Sequence, residues 1–259
     1  MRLWNYRGEQ NNISDALQLR FSGNTTVCVT GSGGKTSLVF SWARELAAAG
    51  KRTAVTTTAH MSDPALSDEK GSGEYEGITV IYADPGETPP DSSLLADIDS
   101  ALNRNEIVML VSRDPDRPGK VMAPPEWAAG HLRDTADAVL IEADGSRRMP
   151  LKWPAPWEPV VPDYTDITVC VAGLSSLGKP LSDVMYRCEH LPEAYFRDAA
   201  DEQLISAVLA SADGGQKGAA GEFRVFLNQA DTDEARAAAA RIQQRLAVCG
   251  IQSAWGQLK

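Results

Sequence analysis

Apolar positions fall into short runs separated by polar, glycine-rich or helix-periodic stretches. TTVCVT (25–30), RTAVTTT (52–58), ITVIY (78–82), EIVMLVS (106–112), AVLIEAD (138–144), DITVCVAG (166–173) and FRVFLN (223–228) are brief, continuous and rich in β-branched residues. Strands covered on both faces read this way. Between the first two runs, Leu38, Val39, Trp42 and Leu46 recur at helical spacing, and Gly50 marks a stop, so residues 35–49 are predicted helical. Residues 92–103 and 125–136 are also predicted helical, and EARAAAARIQQRL follows the last apolar run. Strands alternating with helices imply right-handed βαβ units, hence an α/β fold with a mainly parallel sheet and flanking helices. Neither a repeat nor a compositional break divides the chain, so residues 1–259 are expected to form a single domain.

Three segments interrupt the pattern. GSGEYEG (71–77) and SADGGQKGAAGE (211–222) read as surface loops. PLKWPAPWEPVVP (150–162) holds five prolines. Proline lacks an N–H and clashes inside a helix, so an extended loop outside the sheet is expected there.

Composition narrows the function classes. The formal net charge is −10, and nucleic-acid and anionic-membrane binders need a basic face. Neither partner is expected. Cys28, Cys170, Cys188 and Cys249 are scattered without a C-x-x-C pair, which argues against a zinc or iron–sulfur site. Cys28 and Cys170, inside predicted strands, read as small core hydrophobes. Residues 1–21 carry no apolar signal core, and no apolar run approaches the roughly 20 residues that span a bilayer. The expected location is the cytoplasm.

The strongest chemical signal is TVCVTGSGGKTSL, residues 26–38. A strand runs into Gly31, Ser32, Gly33, Gly34, Lys35, Thr36 and Ser37, and a helix follows. Glycines let consecutive N–H groups turn toward an anion, and the helix adds its positive end. Lys35 would reach the β- and γ-phosphates of ATP or GTP, and the Thr36 hydroxyl would bind Mg²⁺. The ordinary phosphate loop has a glycine where Val29 stands. The shorter T-G-x-x-G-K-[ST] form seen here resembles the loop of Mur-type ligases. A plain glycine turn would leave Lys35 without a reason.

Other strand ends carry further candidates. Glu142 and Asp144 close AVLIEAD, and carboxyl ends of parallel strands line ligand crevices. Two residues apart, they share a face if the strand persists, and either can hold Mg²⁺ directly or through water. The simpler reading is an Asp-Gly turn. Arg147, Arg148 and Lys152 follow as a basic cluster, either an anion-binding edge for substrate or a solvated loop. FLNQAD (226–231) is similar to the guanine-reading N-K-x-D element, with Gln229 in place of lysine. Asn228 and Asp231 would contact the base. Asp231 and Glu234 also fit a helix capping box.

VTGSGGKTS, VTTTAHM, IEADGSRRMPLKWPAPWEPVVP, GLSSLGKPLSD and FLNQAD occur in this order from about Val27 to Asp231. Together they resemble the YqeC family, the selenium-dependent hydroxylase accessory proteins. The resemblance implies a P-loop NTPase-like protein that helps mature selenium-dependent molybdenum hydroxylases, with that hydroxylase or its cofactor-maturation proteins as partners. It implies a phosphate role for Gly31, Gly33, Gly34, Lys35 and Thr36, and a Mg²⁺ or water-positioning role for Glu142 and Asp144. Arg147, Arg148, Lys152, Gly178, Lys179 and Pro180 match the family pattern without a role. Expected activity is Mg²⁺-dependent binding and hydrolysis of ATP or GTP, with Lys35, Glu142 and Asp144 as the catalytic set. Two other readings fit the same residues. One is an ATP-dependent kinase or ligase acting on a small selenium compound or molybdenum-cofactor precursor, with Arg147 to Lys152 as acceptor site. The other is a non-catalytic nucleotide switch that docks a partner through tryptophans and prolines of 150–162.

Overall fold

The computed structural model describes residues 1–68, 75–84, 86 and 92–258. Much of the loop expected at 71–77 lies outside the described residues. The chain opens with β1 (Arg2–Asn5), β2 (Gly8–Gln10) and α1 (Ile13–Ala16). β3 (Thr25–Gly31), α2 (Lys35–Ala48), β4 (Thr53–Thr57), β5 (Met61–Ser62), α3 (Pro64–Asp68) and β6 (Ile78–Tyr82) follow. Next come α4 (Ser92–Asn103), β7 (Ile107–Arg113), β8 (Lys120–Met122), α5 (Glu126–Thr135) and β9 (Ala138–Glu142). β10 (Leu151–Lys152), β11 (Ile167–Gly173), α6 (Leu181–Val184), β12 (Met185–Tyr186) and α7 (Glu202–Ala210) lead to β13 (Glu222–Asn228), α8 (Asp233–Val248) and β14 (Gln252–Gln257). The architecture is α/β, with a mixed but mostly parallel arrangement of strands and flanking helices.

The chain divides into two compact units. The first comprises Met1–Arg20, Val29–Leu38 and Ser146–Lys259; the second comprises Phe21–Cys28 and Val39–Gly145.

In the first unit β11, β13 and β14 run parallel, and β14 pairs antiparallel with β1, which pairs antiparallel with β2. The register of β11 and β13 sets Gly173 opposite Asn228 at the carboxyl ends of both strands. α7 and α8 bury Leu204, Ile205, Val208, Leu209, Ala239, Ile242 and Leu246 in one core with Val225, Leu227 and Trp153. Each helix starts on a side-chain cap that satisfies an orphan first-turn N–H. Asp201 accepts from the Leu204 N–H at 2.6 Å and Thr232 from the Ala235 N–H at 3.1 Å. The cap of α8 is therefore Thr232, and the box expected from Asp231 and Glu234 does not form at that position.

The proline-rich segment is more structured than its sequence implies. Leu151 and Lys152 pair parallel with Met185 and Tyr186 in a separate two-stranded ladder. Trp153 is core, its ring centroid 5.3 Å from that of Tyr195 and tilted 45° to it, whereas Trp157 is 65% exposed. Of the two tryptophans expected as a docking contact, only Trp157 faces solvent.

In the second unit β9, β4, β7 and β6 are parallel, and β8 and β5 extend them antiparallel. β4 and β9 are buried along their whole length, which explains their unbroken apolar sequences. α4 and α5 are linked by His131 Nε2 and Asp99 Oδ1 at 2.7 Å. Cys28 is buried here, and burial first, then the charge of Asp144, pushes its thiol far above the usual range. It is an inert core residue.

Candidate functional site: the glycine loop between β3 and α2

β3 delivers the chain into Gly31, Ser32, Gly33 and Gly34, and α2 begins at Lys35. Gly33 and Gly34 have φ of +83° and +124°, a region that residues with a Cβ avoid. Close packing imposes a second requirement. A Cβ on Gly33 would lie 2.4 Å from the Gly173 nitrogen, and one on Gly34 would lie 2.1 Å from Asn228 Nδ2. A Cβ on Gly31 would meet the Val171 oxygen at 2.3 Å. The loop is pressed against the carboxyl ends of β11 and β13, and only glycine permits that approach.

Side chains then fix the loop in place. The Ser32 N–H donates to the Val171 carbonyl at 2.8 Å, and its hydroxyl donates to the Met149 carbonyl. Ser32 is 1% exposed. Both of its donors are used within the protein, so it anchors the loop. Asn228 donates from Nδ2 to the Gly33 carbonyl at 2.9 Å and is 5% exposed. The Gly173 N–H donates to Pro150 at 2.8 Å, which ties the segment after Met149 to the same strand ends.

Lys35 is 4% exposed, and its ammonium donates to the Gly31 carbonyl at 2.7 Å. It is folded back over the loop. Thr36 and Ser37 are half-buried in the first turn of α2. First-turn amides have no acceptor within their own helix, and the helix end carries partial positive charge. One ammonium, amide donors and two hydroxyls make up the donor set, which fits an anionic phosphate and offers Thr36 to a magnesium ion.

The remaining candidates fall in different surroundings. Glu142 ends β9 and is buried. Asp144 is also buried, but the strand has already ended and its φ is +62°. The strand alternation expected to set both acids on one face does not extend to Asp144; the backbone turns left-handed first. Among the described residues no group of three or more His, Cys, Asp or Glu is arranged to hold a metal.

The basic run is divided. Lys152 is paired at 2.9 Å with Glu158, its side chain 2% exposed. Arg187 grips the same carboxylate with two hydrogen bonds of 2.9 and 3.2 Å. Burial pushes the Glu158 carboxyl up, but the hydrogen bonds from Arg187 and Lys152 outweigh it and hold the group below the usual carboxylate range. The Arg147 guanidinium lies 5.5 Å from the centre of the Tyr186 ring. Arg148 is exposed. Arg187 and Tyr186 are partners that the spacing of Arg147, Arg148 and Lys152 did not reveal; the arginine lies 35 positions beyond Lys152.

At the end of β13, Gln229 adopts φ +64° and accepts from the Ser175 hydroxyl at 2.6 Å. Asp231 is exposed, directly before the α8 cap. Gly178 of the second glycine-containing loop donates to Ala200 at 2.8 Å, and the Ala200 N–H returns to Lys179 at 2.9 Å.

A family model described as YqeC protein matches residues 27–189. The chain belongs to the YqeC family. The Escherichia coli (strain K12) protein named "Uncharacterized protein YqeC" is 35% identical over 160 residues, which are 61% of this chain and 55% of the relative. The chain thus spans little more than half the length of that relative. For this YqeC-family chain the matched stretch includes the glycine loop, the Glu142–Asp144 turn and the Lys152–Glu158–Arg187 ion pairs, and ends before Asn228. No helix among the described residues is long and apolar enough to cross a membrane.

Proposed function

We propose that the chain is an Mg²⁺-dependent nucleotide-binding protein, taking ATP or GTP, and that it hydrolyses the nucleotide. In this reading it acts in the cytoplasm as an accessory factor in maturation of selenium-dependent molybdenum hydroxylases. The pathway is what the sequence resemblance implies. One observation supports the nucleotide: Lys35 is folded over a glycine loop that Ser32 and Asn228 brace from behind, at the start of a helix.

The chemistry follows from that donor set. The first-turn amides of α2 hold the β-phosphate, and Lys35 exchanges the Gly31 carbonyl for phosphate oxygens as the nucleotide enters. Its charge then offsets the negative charge that spreads over the transferring phosphoryl group. The hydroxyl of Thr36 would hold Mg²⁺, which when bound supplies further charge neutralisation. Glu142 and Asp144 are proposed as acids for metal or water because one ends a buried strand and the other lies just beyond it. Asp231, exposed beside β13, would accept from a base. Asn228, bonded to Gly33, serves the loop.

The proposal is tested by release of inorganic phosphate from ATP and from GTP, each with and without Mg²⁺. Release that needs Mg²⁺ and disappears in Lys35→Ala is expected. Equal release by both proteins would overturn it.

A further inference from the structure

We infer that Arg148 is a catalytic residue of the phosphate site, a cation supplied in cis that contacts the terminal phosphoryl group of the nucleotide. This rests on the phosphate-loop reading.

Three observations in the first unit carry it. The segment holding Arg148 is fastened to the loop. The Met149 carbonyl accepts from the Ser32 hydroxyl, and a Cβ on Gly33 would lie 2.7 Å from the Pro150 oxygen. Arg148 is thus the residue directly before the point of attachment.

The backbone there is held in an uncommon state. Arg147 and Arg148 have φ of +48° and +62° in succession, with no glycine to ease either. Residues with a Cβ adopt this left-handed state rarely and at an energetic cost. Strained residues of this kind gather where a side chain must be aimed. The Met149 and Pro150 contacts maintain the conformation from one side.

The third observation separates the three cations of the run. Lys152 is buried on Glu158, and Arg147 lies against Tyr186. Arg148 is exposed, and among the described residues it makes no hydrogen bond, ion pair or ring contact. Of the three cations of this run it is, among the described residues, the one that remains available. A guanidinium presents a planar fork that matches two phosphate oxygens, which an ammonium does not.

In the hydrolytic step, water oxygen bonds to the γ-phosphorus and the bond from that phosphorus to the β–γ bridging oxygen breaks. The nucleoside diphosphate departs, and the water proton leaves with inorganic phosphate or to solvent. Arg148 forms no bond; it contributes charge to the γ-oxygens as the bridge breaks, while Lys35 spans β and γ.

The test compares nucleoside diphosphate with a non-hydrolysable β,γ-imido triphosphate in calorimetric titrations of the full chain, alongside turnover. Arg148→Ala should lower the preference for triphosphate over diphosphate about 10-fold and reduce turnover on the order of 10²- to 10³-fold. Diphosphate affinity should be unchanged. Arg148→Lys, which keeps the charge and the fold, should recover binding preference more than turnover. If binding depends on Lys35 but both Arg148 variants keep wild-type preference and turnover, the Arg148 inference alone is wrong. If the wild-type chain binds neither ligand, the phosphate-loop reading fails, and Arg148 with it.

Discussion

The side-chain amide of Asn228 donates to the carbonyl of Gly33 at 2.9 Å, joining the end of β13 to the glycine loop across 195 residues of sequence. β13 thereby sets the shape of the glycine loop. Because the Asn228 donor is engaged on the backbone, its effect on nucleotide should not depend on the base. Asn228→Ala leaves a buried carbonyl unsatisfied, at a cost of about 1–3 kcal/mol. ATP and GTP affinities should fall together, and urea unfolding should shift by a matching amount. Loss confined to GTP would assign Asn228 to the base instead.

Gly33 and Gly50 separate packing from backbone conformation. Both have positive φ, but a Cβ on Gly50 would have nothing within 4 Å. Gly50→Ala should cost about 1 kcal/mol, the left-handed backbone penalty alone. Gly33→Ala adds a collision with the Gly173 nitrogen at 2.4 Å. It should cost about 3 kcal/mol or more, with strain and overpacking combined. Thermal melts of the two variants check the difference; equal losses would mean that the loop is not held against β11.

Glu158 links acid stability to the proline-rich segment. Its carboxyl is depressed in the folded state, so its contribution is complete above the usual carboxylate range and is lost as pH falls through the depressed value. Glu158→Gln removes the negative charge that Lys152 and Arg187 share and should cost about 3 kcal/mol near neutral pH. Melting temperatures from about pH 7 to about pH 3 should converge for wild type and variant as the wild-type carboxyl protonates. Parallel curves would show that the ion pair does not govern acid stability.

The regular elements were legible where the apolar run was continuous or helix-periodic. Ile78–Tyr82 and Ser92–Asn103 have the bounds their apolar patterns predict. Arg2–Asn5 and Gln252–Gln257 did not announce themselves, because RLWN and QSAWGQ hold no β-branched residue and their strands depend on pairing with each other and with β2 and β13. α7 carried a usable signal that composition masks: Asp201 stands directly before EQLISAVLA and caps it. In the site, the glycine loop was visible because its residues are contiguous. The bond from Asn228 to Gly33 and the burial of Lys152 were not, since their partners come from distant segments or follow several prolines.

Glu142 and Asp144 are distinguished by charge-neutral substitutions. Glu142→Gln and Asp144→Asn keep volume, and the variant that removes the proposed metal acid should raise the Mg²⁺ concentration for half-maximal turnover about 10-fold or more. Magnesium titrations of phosphate release provide the check. An unchanged requirement in both would leave the two acids as strand-end structure.

The most direct measurement is calorimetric titration of the wild-type chain and Lys35→Ala with ATP and with GTP, each with and without Mg²⁺. One nucleotide should bind in an Mg²⁺-dependent manner to the wild-type chain, and the heat should vanish in Lys35→Ala while its melting temperature is retained. Binding of neither nucleotide, or equal affinity in Lys35→Ala, would contradict a phosphate site at Gly31–Thr36.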